Sequence, residues 1–323
     1  MTKPKQTNCY SLLLGLTGYT RLAIMHLVQK IRRFFNQISE TRQKVDEIQQ
    51  TLGRIEFRQL QTLSDSDFHH HEFKVYSQWG EDGLIQYLIA NLTVPKRFVE
   101  FGVENYTESN TRFLLTNNNW SGLIMDGSQS NIDYIKNDDI YWRYNLKAVC
   151  AFITKDNIND LLKQNGMSGE IGLLSIDIDG NDYWVWDAIK QIEPIVVIVE
   201  YNARFGASEA VTIPYDPNFN RGLAHYSNTY YGASLCALDY LAKQKGYSLV
   251  GCNSSGNNAF FVKTTHLTEK ITGKSPSEVF VSHQFRESRS TTGKLSYLDK
   301  EAEKKILLTL PLIKIPSGLN EVS

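Results

Sequence analysis

The spacing of apolar and polar positions changes character along this chain. Ile31, Phe34, Ile38, Thr41, Val45, Ile48, Leu52 and Ile55 follow alternating steps of three and four, with Lys30, Gln37, Arg42, Lys44, Gln49 and Glu56 at flanking positions. That is a heptad seam, and it predicts a coiled-coil-like helix through which copies of the chain associate. Ahead of it, Leu22, Ile24, Met25, Leu27 and Val28 run into Lys30, Arg32 and Arg33, a pattern that suits peripheral contact with a membrane surface. The apolar stretch Cys9 to Tyr19 is cut by Arg21, well short of the ~20 residues a membrane span requires. SDSDFHHHEF, 64 to 73, reads as a polar linker, because neighbouring histidines on an extended chain point apart and do not converge on a metal.

Beyond the linker the period shifts again. Ser77 to Leu92 predicts a helix that stops before Pro95. Continuous apolar runs follow at Phe98 to Val103, Gly122 to Met125, Ala148 to Ile153, Ile171 to Ile178 and Ile195 to Val199, separated by helical or mixed segments. Uninterrupted apolar strands between helices predict a parallel sheet covered on both faces. Gly232 to Gly246 is a further helix, and YSLVGCNSSGNNAFFVK, 247 to 263, holds two strands too close together for a helical crossover. The expected fold is a doubly wound α/β sheet, five parallel βα units closed by an antiparallel hairpin. Its expected divisions are a helical region 1–63, a linker 64–75, a Rossmann-like domain 76–263 and a C-terminal extension 264–323.

Composition narrows the classes of function. The 323 residues are 41% hydrophobic, enough for a large core, and a net charge of −1 gives no bulk attraction to nucleic acid. Cys9, Cys150, Cys236 and Cys252 have neither zinc-ligand spacing nor the density of a disulfide framework, which fits a reducing, cytoplasmic setting with membrane contact at most peripheral.

In a doubly wound sheet the ligand lies outside the carboxyl ends of the strands, beside the first strand. There FVEFGVENYTESN carries one glycine, Gly102, with Glu100, Glu104 and Glu108 around the turn. A pyrophosphate wants bare backbone amides, and each carboxylate at ~4 Å from a phosphate costs about 4 kcal/mol at an effective dielectric near 20. The loop therefore suits a cationic ligand such as S-adenosylmethionine. Asp126 and Gly127, closing the second strand ~20 residues on, suit the ribose hydroxyls.

YSQWGEDGLI, FVEFGVENYTESNT, WSGLIMDGS and LLSIDIDGNDYWVWDAI together resemble the FkbM-type branch of class I S-adenosylmethionine-dependent methyltransferases, over residues 76 to 263. The resemblance implies a seven-stranded methyltransferase sheet, with Glu100 and Gly102 in the first cofactor loop and Asp126 at the ribose. It also implies O-methylation of a hydroxyl on a saccharide or small metabolite.

A second acidic cluster ends the fourth and fifth strands: Asp177, Asp179 and Asp182, then Glu200 and Asn202. Asp177, Asp179, Glu200 and Asn202 form a candidate magnesium site, since oxygen ligands from neighbouring strand ends meet its preferences. Asp182 reads instead as the cap of the next helix. Asp177 and His225 are the candidate catalytic groups. The same Asp-Ile-Asp also fits a metal-dependent nucleotide-sugar glycosyltransferase, and a non-catalytic oligomeric scaffold is the third reading. Between strand and helix, residues 204–231 form a long loop in which Tyr215, Phe219, Tyr226, Tyr230 and Tyr231 offer a stacking face, with Arg221 and His225 as polar contacts. Arg286 and Arg289, in the extension, are placed to meet an acidic substrate or to wrap the sheet edge.

Overall fold

The computed structural model describes residues 18–62 and 67–316. Cys9 and the apolar stretch before Gly18, together with linker positions 64–66, lie outside the described residues. The chain divides into two compact units, Met1–Leu52 and Gly53–Ser323. Helix α1, Gly18–Leu60, occupies the described part of the first. Its seam residues Ile31, Phe34, Ile38, Val45, Ile48 and Leu52 are all exposed on the single chain. Among the described residues no helix is long and apolar enough to cross a membrane.

The second unit begins with the last turns of α1, where Phe57 and Leu60 pack on Phe73, Val75, Tyr76 and Phe113. A Cβ on Gly53 would come within 2.4 Å of Val75, so the glycine is what allows that close approach. The histidine segment is structured. Phe68–His71 is a 3-10 helix capped by the Asp67 side chain, and His71 is buried, its ring stacked on Tyr87 at 3.8 Å. The expected polar linker is thus packed onto the domain at this end.

Helix α2 spans Glu81–Asn91, starting four residues later than its apolar pattern predicts. Asp82 is the reason: its Oδ2 accepts the N–H groups of Val75, Tyr76 and Ser77 at 2.6–2.8 Å and keeps the preceding stretch out of the helix. The sheet then builds from β1 (Arg97–Phe101), β2 (Ser121–Asp126), β3 (Leu146–Cys150), β4 (Gly169–Ile176) and β5 (Ile192–Glu200). Helices α3 (Arg112–Asn118), α4 (Gln129–Asn137), α5 (Asp139–Arg143), α6 (Ile158–Gln164) and α7 (Asp182–Ala188) connect them. After β5 come the two-residue β6 (Val211–Thr212), the short α8 (Arg221–Ala224), α9 (Leu235–Gln244) and the hairpin β7 (Tyr247–Cys252) and β8 (Asn258–Lys263). The extension adds α10 (Pro276–Val279), α11 (Lys300–Leu308) and β9 (Ile313–Lys314), which pairs with β6.

The large sheet has seven strands in the order β3-β2-β1-β4-β5-β8-β7. Strands β1 to β5 pair in parallel and β8 inserts antiparallel between β5 and β7, as the hairpin requires. Alternate residues feed two cores. Val99, Phe101, Leu174, Ile176, Val197 and Val199 fill one face, and Phe98, Leu173, Val196 and Ile198 fill the other. Both faces are covered, which is why the strands read as unbroken apolar runs. The order reverses direction between β1 and β4, so the carboxyl ends of those strands open the crevice in which a ligand can sit.

Candidate functional site

A cleft of about 610 Å³ opens at that switch point, lined by the loops that leave β1 to β5 and by residues from the extension. Gly102, at φ +71°, leaves β1 beside the end of β4, where a Cβ would fall 1.6 Å from the carbonyl oxygen of Asp177. The glycine is therefore demanded by protein against protein, before any ligand is considered.

The three glutamates of this loop do not act alike. Glu100 is buried, and its carboxylate accepts from Ser109 Oγ, Thr111 Oγ1 and the N–H groups of Asn110 and Thr111. Burial raises its pKa in spite of those bonds. It anchors the loop on itself and also lines the cleft. Glu108 is turned to Lys74 at 3.4 Å on the surface. Glu104 lines the cleft with its backbone in the left-handed region at φ 46°.

Asp126 Oδ2 accepts the N–H of Glu104 at 2.9 Å, and Oδ1 accepts Ser128 N–H at 2.8 Å and Asn131 Nδ2 at 3.0 Å. The carboxylate ties the first two strand-end loops together and still lines the cleft, with Oδ2 keeping acceptor capacity. Gly127 lies beside it, and beyond is Phe152 at the end of β3, 58% exposed and lining the same cleft. Phe152 was not singled out by its sequence context, where it reads as one more apolar residue of a strand.

Register brings the second cluster together. Ile176 pairs with Val199, so the next residues outward, Asp177 and Glu200, leave adjacent strands side by side. Ligand oxygens of Asp177, Asp179 and Glu200 lie within 4.8 Å of one another. Glu200 is only 7% exposed and its Oε2 has no hydrogen-bond partner among the described residues. Burial, then the neighbouring charges of Asp179 and Asp182, push the Asp177 carboxyl well up. Burial and then Asp177 do the same to Glu200. Asp182 closes the turn instead, accepting Ile178 N–H at 2.8 Å and Gly180 N–H at 2.9 Å, and burial lifts it to about 6.

Two expected members fall elsewhere. The Asn202 amide donates to the carbonyls of Thr229 and Tyr231, and its Oδ1 accepts Arg204 N–H, so the side chain is committed to shaping the loop after β5. His225 ends α8 with Nδ1 bonded to Ser227 Oγ at 2.7 Å and does not line the cleft. Its expected role as a base is not supported by that placement. Of the loop aromatics, Phe219 lines the cleft, whereas Tyr230 belongs to a small buried core with Val211 and Leu307. Tyr231 is buried beneath Arg221, whose guanidinium lies 3.7 Å from the ring centroid.

Arg221 and Glu287 carry more than their sequence settings suggest. Arg221 reaches Asp179 at 2.7 Å and Glu287 at 2.6 Å. Glu287 also meets Arg204 at 3.2 Å, and Arg204 pairs with Glu303, which in turn meets His283. The extension is thereby joined to the acid cluster. Gln284 N–H donates to Ser255 O in the β7–β8 turn, and Tyr201 Oη donates to Val281 O, which brings Phe285, Arg286 and Glu287 into the lining. Trp79 enters from the other end of the domain: Glu81 accepts Trp79 N–H and the side-chain amides of Asn253 and Asn258, fixing the loop before α2 against the hairpin.

No protein-family model matches the sequence, and no curated protein matches it. Solved structures do. A S-adenosylmethionine-dependent methyltransferase from Clostridium acetobutylicum ATCC 824 is similar at TM-score 0.36 and 12% identity, over 56% of this chain and 89% of its own. A putative caffeoyl-CoA O-methyltransferase from Staphylococcus aureus superposes at TM-score 0.37 and 14% identity, over 56% and 82%. The O-methyltransferase from Bacillus cereus in complex with SAH does so at 0.35 and 12%, over 66% and 88%. The strand order and the antiparallel closing hairpin, rather than these superpositions, define the fold described above.

Proposed function

We propose that this protein is an S-adenosylmethionine-dependent methyltransferase of the FkbM-like kind, acting on a hydroxyl of a saccharide or small metabolite with the help of magnesium. The observation that carries the reading is a juxtaposition at one switch-point cleft. A loop with one obligatory glycine and the ribose-competent Asp126 share it with a carboxylate group whose buried Glu200 Oε2 lacks a hydrogen-bond partner among the described residues. The donor sets fit both groups. Asp126 Oδ2 has acceptor capacity for a ribose hydroxyl, Phe152 offers an exposed ring beside it, and Glu104 and the acid cluster suit a cationic rather than a phosphorylated ligand. An unpaired, deeply buried carboxylate oxygen among other carboxylates suits a small hard cation.

Magnesium, when bound, supplies polarisation of the acceptor hydroxyl. Asp177 and Glu200 would hold it, with Asp179 shared between it and Arg221. Asp177, half-buried on the cleft floor, is placed to take the hydroxyl proton as the methyl carbon passes from sulfur to oxygen. Arg221 holds Asp179 and Glu287 in position across the cluster. The exposed seam of α1 supports self-association, and its apolar N-terminal turns with Lys30, Arg32 and Arg33 support peripheral contact with a membrane.

Calorimetry with S-adenosylmethionine, S-adenosylhomocysteine, NAD and a panel of nucleotide sugars tests the reading. S-adenosylmethionine and its product should bind and NAD should not. Preferential binding of a nucleotide sugar would instead assign Asp177 and Asp179 to a metal-dependent glycosyltransferase.

A further inference from the structure

Part of the cleft lining comes from two segments about two hundred residues apart in the chain. Trp79 and Phe285 meet there with ring centroids 5.8 Å apart and planes within 15° of parallel. Both line the cleft, and Trp79 is 39% exposed. Two cations also line it. Arg221 is already neutralised by Asp179 and Glu287. Arg286, next to Phe285, is exposed and pairs with no carboxylate among the described residues, its guanidinium resting 5.4 Å from the ring of Tyr297. An unpaired guanidinium beside an acid-rich cleft is a selective feature, since it offers a planar fork of donors for one anion where the rest of the rim repels anions. The neighbouring lining, Gln78, Ser109, Asn110 and Asn181, is hydrogen-bonding rather than apolar, which suits a polyhydroxylated ring over an aromatic one.

We propose that the acceptor is an anionic saccharide whose ring lies against Trp79 and Phe285 and whose carboxylate or phosphate is met by Arg286. This rests on the methyltransferase reading for the role of the cleft, and it adds the substrate class. Glu81 acts as a positioning residue for the aromatic pair, because it fixes the backbone of Trp79 against the hairpin.

The test is binding of glucuronic acid, glucose 6-phosphate, glucose and benzoate to the full chain, with S-adenosylhomocysteine and magnesium present, followed by saturation-transfer NMR and titration. At least one charged sugar should bind roughly ten-fold or more tightly than glucose, the scale of one charge-assisted contact. Whichever of the two is preferred identifies the anion as carboxylate or phosphate. Arg286→Gln should bring the charged sugars down to the glucose level and leave S-adenosylhomocysteine affinity unchanged, while Trp79→Ala should weaken all three sugars. Trp79→Phe, which keeps a ring, should restore most of that loss. Equal affinity for glucose and the charged sugars, indifference to Arg286→Gln, benzoate binding best, or no binding of any probe would each overturn the proposal. Failure of S-adenosylhomocysteine to bind, with Arg286-dependent binding of a charged sugar intact, would overturn the methyltransferase reading and leave the subsite standing.

Discussion

Asp177 and Glu200 leave adjacent parallel strands at matching positions, and they place a half-buried and a buried carboxylate in one group with Asp179 while Glu200 Oε2 has no hydrogen-bond donor among the described residues. Burial, and then like charges this close, raise both carboxyl pKa values unless a cation intervenes. With an acceptor in hand, EDTA should abolish turnover and magnesium should restore it. Asp177→Asn and Glu200→Gln should each lower turnover by at least about a hundred-fold while leaving S-adenosylmethionine binding within a few-fold, measured by calorimetry. Full activity in chelator would remove the metal from the mechanism and leave Asp177 as the base alone.

Gly102 makes a different forecast. Because a Cβ there would lie 1.6 Å from the Asp177 carbonyl oxygen, at a φ of +71°, Gly102→Ala should damage the fold as well as the cleft. Backbone on backbone cannot yield cheaply, so a loss of about 3 kcal/mol or more is expected in urea unfolding. If Gly102→Ala unfolds at the wild-type midpoint and loses cofactor affinity alone, the glycine serves the ligand and not the β1–β4 contact.

Asp82 links stability to pH. Its Oδ2 accepts three backbone N–H groups, yet burial dominates and lifts its pKa to about 6 from the ordinary 3.8. A carboxyl raised in the folded state is protonated there more than in the unfolded chain. Its contribution to stability therefore falls as pH rises from about 4 through about 6, by roughly 3 kcal/mol when complete. Asp82→Asn should flatten the stability profile over that window. Asp82→Ala leaves the N–H groups of Val75, Tyr76 and Ser77 without their acceptor and should cost about 3 kcal/mol at neutral pH. Urea midpoints of the three proteins at about pH 3 and about pH 7, below and above the transition, decide it.

The strands were legible because both faces of the sheet are covered, so Val196 to Val199 or Leu173 to Ile176 could be nothing but buried. Asp177 and Glu200 were legible for the same reason: they are the first charged groups past apolar runs whose ends must coincide in a parallel sheet. The loop acids were not. Glu100 sits at a strand end as a ligand-facing carboxylate would, and only the folding back of Ser109 to Thr111 makes it an anchor. Arg221 and Glu287 lie 66 residues apart, and no local pattern marks their meeting. The start of α2 was misplaced because the reach of Asp82 back to Val75 is a tertiary-like bond written in a short segment of favourable helical spacing.

The N-terminal helix yields the last prediction. Its seam is exposed from Ile31 to Leu52, whereas Phe57 and Leu60, a turn or two further on, are packed into the second unit against Phe73 and Phe113. A chain beginning at Asp67 would strip those contacts and confuse unfolding with dissociation. One beginning at Gly53 keeps them. Light scattering on the full chain should give an oligomer, and the Gly53 chain should give the mass of one copy with its thermal midpoint close to that of the parent. As a check that leaves the chain whole, replacing Ile38 and Val45 together by Glu puts a charge at two seam positions and should dissociate the full-length protein, because a desolvated carboxylate in a coiled-coil core costs more than one seam contact contributes. The same double substitution should leave cofactor affinity unaltered, since neither residue lies in the cleft. A monomeric full chain, or an oligomer that survives both changes, would mean that copies do not associate through this seam.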